Sequence, residues 1–255
     1  MNTLWIADAH LSEPGSEPYE GLRQLLLHYA ARLDCLVVLG DLFQIWIGDN
    51  QILTSKHEPL LRTFFELRSR GKTIYYLKGN HDFLLGRTIT DCMQAQVFEE
   101  EAVFEWDGYR FLATHGEHLD KSDYGYRILR RVLRSRWTES LIRKVGDQRA
   151  LRLGMRVAAA GKATPNEEKL RRTQRQHFAY AHRRLHEGFH AVILAHTHRP
   201  QWRTFAVANE KRIYINPGSW LEDRTYLWYS RGTFQLQRFS GDRPSILFDF
   251  AFSVD

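Results

Sequence analysis

Five short runs along the chain hold side chains suited to binding metal ions. They are Asp8-Ala9-His10, Gly40-Asp41-Leu42-Phe43, Gly79-Asn80-His81-Asp82, Thr114-His115-Gly116 and His196-Thr197-His198, and they hold 5 of the chain's 12 histidines. Neutral imidazoles, carboxylates and one amide oxygen form a nitrogen and oxygen ligand set that fits Mn2+, Fe2+ or Zn2+. None of the runs offers a cysteine, which excludes a thiolate zinc site. Two such ions about 3.5–4 Å apart can share a carboxylate, generate a hydroxide and clamp a phosphoryl group for in-line attack. A single Asp-x-His is common by chance, so the weight lies in the ordered series.

The elements that must position these side chains follow from the pattern around them. β-rich runs near 3–8, 35–39, 73–78 and 109–114 each end in a polar or glycine-containing turn, and a further run at 191–194 precedes His196. Every motif therefore stands at the C-terminal end of an expected strand, where open α/β sheets place their ligands. Helical patterns at 19–32 and 57–70, the second stopped by Gly71, imply strand-helix-strand units and a largely parallel sheet. Residues 123–187 read as helical, interrupted near Gly161 to Pro165, with Thr164-Pro165-Asn166-Glu167 as a helix start. Strands are expected again near 201–207, 211–216, 225–230 and 233–239. The reading is a two-layered sheet core, 1–122 and 188–255, that carries a helical insertion at 123–187. No internal repeat or low-complexity segment interrupts it.

With 255 residues, 43% hydrophobic and 26% charged, the composition is that of a globular protein and excludes wholesale disorder. No stretch approaches the roughly 18 apolar residues of a membrane span. Two cysteines argue against a disulfide framework and fit a reducing, cytoplasmic setting. The start of the chain runs into a strand-like Thr3–Ala7 without a basic leader, so secretion is not expected. Net charge is +6, but from Arg127 to Arg156 nine arginines and Lys144 face only Glu139 and Asp147, a local +8 that leaves −2 elsewhere. Such a segment suits phosphates of nucleic acid, lipid or a phosphorylated substrate. Leu129, Val132, Leu133, Trp137 and Leu141 recur at three- and four-residue intervals within it. That spacing makes a basic amphipathic helix, the pattern either of a membrane-surface segment or of a helix packing on its own domain.

The motif series resembles the calcineurin-like metallophosphoesterase superfamily over most of residues 4–220. The resemblance implies an α/β fold, a β-sandwich core flanked by helices in αββα layers, with a helical lid inserted. It implies one divalent ion on Asp8, His10, Asp41 and His198, and a second on Asp41, Asn80, His115 and His196, with Asp41 bridging. It places His81 beside the scissile phosphate and Asp82 as the partner that orients it. Within the superfamily, Gly40 to Asp49, Gly79 to Gly86, Asp123 to Tyr126 and His196 to Pro200 look like the corresponding segments of UDP-2,3-diacylglucosamine pyrophosphatases of lipid A synthesis. That closer resemblance implies cleavage of an acylated UDP-sugar at the α-phosphorus to UMP and lipid X. It also implies Mn2+ before Fe2+ or Zn2+, and a peripheral place on the cytoplasmic face of an anionic inner membrane. Asn80, His81, Asp123, Tyr126 and Arg156 are then the substrate-binding candidates. His81 stands where many of these pyrophosphatases carry arginine.

Other residues invite a functional reading and carry less. His182 and His186 lie one helical turn apart, but no carboxylate completes a site and a solvated face is expected. His118 and Asp120 follow the fourth motif closely enough to reach the site rim but are more readily read as outside it, and Asn216-Pro217-Gly218-Ser219 is a turn near the metals or a plain β-turn. A nuclease or nucleotide phosphodiesterase of the same superfamily is the alternative, with the basic segment tracking a phosphate backbone. The apolar stripe argues against a nucleic-acid partner and favours lipid. A metal-free scaffold would require ligands to be missing, and none is. Oligomeric state is not legible in the sequence.

Overall fold

Side-chain alternation along the first strand sets the layering of the molecule. In the computed structural model, which describes residues 1–120, 132, 135–161, 167–241 and 244–252, the strand β1 (Asn2–Ile6) sends Leu4 and Ile6 into one core and Trp5 into another. The first half continues with α1 (Glu17–Tyr29), β2 (Cys35–Val38), β3 (Trp46–Ile47), α2 (Gln51–Ser69), β4 (Thr73–Leu77) and β5 (Asp82–Leu84). Then come α3 (Gly86–Met93), β6 (Gln96–Phe98), β7 (Glu101–Trp106), β8 (Tyr109–Thr114), α4 (Arg136–Val145), α5 (Asp147–Gly161) and α6 (Glu167–His186). The chain ends with β9 (Ala191–Leu194), β10 (Gln201–Val207), β11 (Glu210–Asn216), α7 (Trp220–Asp223), β12 (Thr225–Ser230), β13 (Thr233–Phe239) and β14 (Pro244–Ala251).

One sheet has seven strands in the order β14-β13-β12-β1-β2-β4-β6, and a second has five, β10-β11-β9-β8-β7. The two face each other. Trp5, Val37 and Leu227 of the first meet Phe111, Ile193 and Ile215 of the second in one continuous core. The outer face of the larger sheet, with Leu36, Val38 and Tyr76, is covered by Leu25 and Leu26 of α1 and by Leu60 and Phe64 of α2. The outer face of the smaller sheet, with Leu112, Val192 and Tyr214, is covered by Tyr180, Ala181 and Leu185 of α6. Helix, sheet, sheet and helix are thus stacked, each apolar face buried against the next.

The sheets are mixed rather than largely parallel. β1, β2, β4 and β6 pair in parallel, whereas β12, β13 and β14 add antiparallel at the other side of β1. The helix expected at 57–70 begins six residues earlier, because Asn50 caps it by accepting from the Leu53 N–H at 3.2 Å. The basic amphipathic stripe does not run through one helix. Ser135, in extended conformation, caps the start of α4 through the Thr138 N–H, and Gly146 at φ +82 separates α4 from α5. Leu129 and Leu133 lie outside the described residues, as do Thr164 to Asn166. Among the described residues no helix is long and apolar enough to cross a membrane.

Candidate metal centre

Each of the five motifs lies just beyond a strand: Asp8 and His10 after β1, Asp41 after β2, Asn80 and His81 after β4, His115 after β8, and His196 and His198 after β9. Three of these strands belong to the larger sheet and two to the smaller, all of them inner strands, so the site forms where the C-terminal ends of both sheets' inner strands converge. The turns that achieve this are strained. Asp8, His10, Asp41, His196 and His198 all have positive φ, between 42° and 69°. Non-glycine residues held in that region cluster at functional sites.

The side chains converge on two buried carboxylates. Asp8 Oδ1 faces the Nε2 atoms of His198 at 3.4 Å, His10 at 3.9 Å and His115 at 3.9 Å. Asp41 Oδ2 faces His115 Nε2 at 3.5 Å and His10 Nε2 at 3.8 Å. Ligand atoms from Asp8, His10 and His198, from Asp8, Asp41 and His115, and from His10, Asp41 and His81 form three overlapping clusters, each within 4.8 Å. Asn80 Oδ1 stands 3.1 Å from His115 Nε2. His196 places its ring beside that of His115, and its N–H donates to Asp8 Oδ2 at 3.0 Å.

The orphaned atoms suit a cation. Asp8 Oδ1 is buried without a hydrogen-bond partner, and the Nε2 atoms of His10 and His198 approach to 3.2 Å. An unpaired carboxylate oxygen ringed by imidazole nitrogens is a donor set for a divalent ion. The electrostatics agree. Burial alone would raise the Asp41 carboxyl, yet His115, with His81 and His10, holds it well below the carboxylate range. Asp8 is likewise lowered against burial, by His198 and His115. Burial pushes His10 and His196 down to about 4, leaving neutral imidazoles. His198, against burial, is raised to about 9 by Asp8 and Glu222.

Other groups hold these residues in place. His115 Nδ1 bonds to the Leu39 carbonyl at 2.6 Å, and His81 Nδ1 to the Gln44 carbonyl at 2.7 Å. Asp82 does not face the His81 ring as expected. Its carboxylate accepts from the N–H groups of Asp41 and Gly79 and from the Tyr76 hydroxyl at 2.8 Å, so it pins together the turns that carry Asp41 and Asn80. Gly79 is needed there, because a Cβ would stand 2.2 Å from Asp41 Oδ1. Gln44, Tyr76 and Glu222 escaped the sequence reading. The first acts through its backbone, and the other two act across distances that no local motif encodes.

The remaining candidates fall elsewhere. Arg156 is exposed on α5, outside the cluster, and Asp123 and Tyr126 lie outside the described residues. His182 and His186 pack against each other at a tilt on α6 and join no metal-binding group among the described residues. Asp120 accepts from Arg172 and Gln176, which ties the segment after β8 to α6. The turn at Asn216 to Ser219 does border the cluster: Asn216 donates to Thr197 Oγ1 and Ser219 to the Asp8 carbonyl.

Comparison with known proteins points the same way. The family described as calcineurin-like phosphoesterase matches residues 1–200. A UDP-2,3-diacylglucosamine hydrolase of Aeromonas salmonicida is 31% identical over 239 residues, 93% of either chain. One of Serratia proteamaculans is 30% identical over 243 residues, 94% of this chain and 99% of its own. Among solved structures, the phosphoesterase Yfce of E. coli superposes with a TM-score of 0.53 at 14% identity, covering 99% of this chain and all of its own. A dimetal phosphatase of Danio rerio gives 0.51 at 13% identity, covering 99% of each chain. These two likenesses concern the fold.

Proposed function

This chain belongs to the calcineurin-like phosphoesterase family, and from that premise we propose that it hydrolyses the pyrophosphate of UDP-2,3-diacylglucosamine. Water adds at the α-phosphorus, the bond from that phosphorus to the bridging oxygen breaks, and UMP and 2,3-diacylglucosamine 1-phosphate leave. One observation carries the reading. Proteins bearing that name align with this chain at about the 30% level across nine-tenths or more of its length.

Two divalent ions fit the cluster. In this reading Asp8, His10, Asp41 and His198 hold one, and Asp41, Asn80, His115 and His196 hold the other, with Asp41 shared. Mn2+ is the metal this reading takes from the family resemblance, and the mixed imidazole and carboxylate donors also accept Fe2+ or Zn2+. When bound, the ions supply Lewis-acid charge to the phosphoryl group and acidify the attacking water. The chain's own residues do the positioning. The Gln44 carbonyl accepts from His81 Nδ1, which leaves Nε2 to meet the phosphoryl oxygens or the leaving group. Asp82 keeps the Asp41 and Asn80 turns in register, acting on both sets of ligands at once.

The substrate's acyl chains need an apolar surface, and the segment 123–187, which contains α4, α5 and α6, is the element we assign to them, as a lid whose last helix doubles as the outer layer of the core. Its described part exposes Trp137, Leu141, Leu153 and Met155 together with Lys144, Arg149, Arg152 and Arg156. That combination suits both lipid chains and the anionic cytoplasmic face of the inner membrane. Asp123, Tyr126 and Arg156, with Asn80 and His81, complete the substrate contacts in this reading.

The deciding experiment measures UMP release from UDP-2,3-diacylglucosamine in mixed micelles with Mn2+, beside the deacylated UDP-sugar and a single-stranded DNA. Hydrolysis confined to the acylated substrate is the expected result. Activity on DNA or on a generic phosphodiester, with none on the acylated sugar, overturns the substrate and leaves the phosphoesterase centre.

A further inference from the structure

We infer that Glu222 is a positioning residue for the metal face made by Asp8, His10 and His198; the inference rests on the two-metal reading above. Glu222 Oε1 accepts from His198 Nδ1 at 2.7 Å. A carboxylate at that nitrogen keeps a proton on Nδ1, so that Nε2, which faces Asp8 Oδ1 and His10 Nε2, is the atom left to meet a metal. The other histidines of the cluster are held differently. His115 and His81 bond to backbone carbonyls, and His10 Nδ1 is buried without a partner. His198 differs from these three in meeting a carboxylate side chain at Nδ1.

The contact is built into the segment that carries it. Ser219 Oγ accepts from the Glu222 N–H at 3.2 Å and donates to the Asp8 carbonyl at 2.9 Å. The N–H of Leu221 also reaches the Asp8 carbonyl, and that of Trp220 the Ala7 carbonyl. Asn216 Nδ2 donates to the Ala195 carbonyl and to Thr197 Oγ1, on either side of His196. Residues 216–222 therefore hold the backbone of one ligand, the loop of two others, and the side chain of His198. His198 is the more open part of the cluster, 29% exposed where Asp8 is fully buried. An imidazole at a solvent-facing rim has free rotamers unless something restrains it, and Glu222 is that restraint. Its charge also makes His198 a stronger donor without occupying a coordination position.

The test is titration of the metal-stripped protein with Mn2+, read by calorimetry and by the electron paramagnetic resonance of free ion. Wild-type protein is expected to take up two ions. Glu222→Ala should weaken one of them by about 10–100-fold and leave the other unchanged. Glu222→Gln, which keeps an acceptor for Nδ1 and loses the charge, should fall between. Thermal melting in EDTA should be the same for all three proteins, which separates a metal effect from a folding effect. At saturating Mn2+ the turnover of both variants should return toward wild type while the Mn2+ midpoint stays displaced. Two unchanged affinities in both variants overturn the role of Glu222 alone. A wild-type protein that binds fewer than two ions overturns the two-metal reading, and this inference with it.

Discussion

Asp41 stands among three histidines of the site: it faces His115 and His10 through one oxygen and accepts from the His81 N–H through the other, at 2.8 Å. Its neighbour Gly79 can carry no side chain without displacing that carboxylate. Gly79→Ala is therefore expected to lower turnover by about 100-fold, the cost of misplacing a catalytic group by around an ångström, and Asp41→Ala to abolish it in a protein that still folds. Steady-state rates alongside circular dichroism check both. His57 presents a different single-residue effect, away from the metals. It is buried between Tyr19 and Phe43, and burial pushes its imidazole down to about 4. Its folded value is depressed below the ordinary 6.5 or so, so the unfolded chain takes up the proton first. Stability is full above pH 6.5 and drains as the pH falls toward 4, by up to about 3 kcal/mol. His57→Leu should flatten that acid limb in denaturant titrations at pH 7, 5.5 and 4.5, and an unchanged limb would count against the assignment.

Short elements beyond the strand ends carry more of the site than their length suggests. The four-residue α7 holds Glu222, and its Ser219 cap is buried with both hydrogen bonds made. Removing that hydroxyl with Ser219→Ala should cost about 1–2 kcal/mol and lower the melting temperature by several degrees, seen by calorimetry. The strands and motifs that frame the cluster were legible in the sequence, because short, β-prone apolar runs end in polar turns at Asp8, Asp41, Asn80, His115 and His196. The rest was not, for physical reasons that differ from case to case. The two-residue β3 pairs with β5 over too short a run to show a period. β14 has mostly exposed or half-exposed side chains at a sheet edge, so its pattern lacks a buried face. The left-handed backbone of five cluster residues leaves no trace in composition, since Asp and His are common in many conformations. The expected amphipathic helix was broken by a serine cap, which the hydrophobic spacing overlooked.

At the scale of the whole molecule, the apolar side chains divide into those that hold the layers together and those that hold nothing within the described structure. Leu185 and Ala181 of α6 seal the smaller sheet, whereas Trp137 on α4 is 88% exposed. Trp137→Ala should leave stability within about 0.5 kcal/mol yet weaken binding to anionic vesicles by roughly tenfold, the loss of one large buried side chain. Co-sedimentation with vesicles of graded phosphatidylglycerol content measures it, and equal binding of both proteins would remove the membrane role from this helix. The origin of the cluster in both sheets has a mechanical consequence. Asp8, Asp41 and Asn80 follow strands of one sheet, His115 and His196 strands of the other, so any ion they share is a clasp across the sandwich. The clasp closes only when strands as distant in the chain as β1 and β9 have docked, and the sheets cannot separate until it lets go. Metal should then slow unfolding as well as shift its equilibrium, adding about 2.7 kcal/mol at a hundred times the dissociation constant. The half-life in denaturant should lengthen with Mn2+ and shorten in EDTA, making the ion a timekeeper for how long the protein survives.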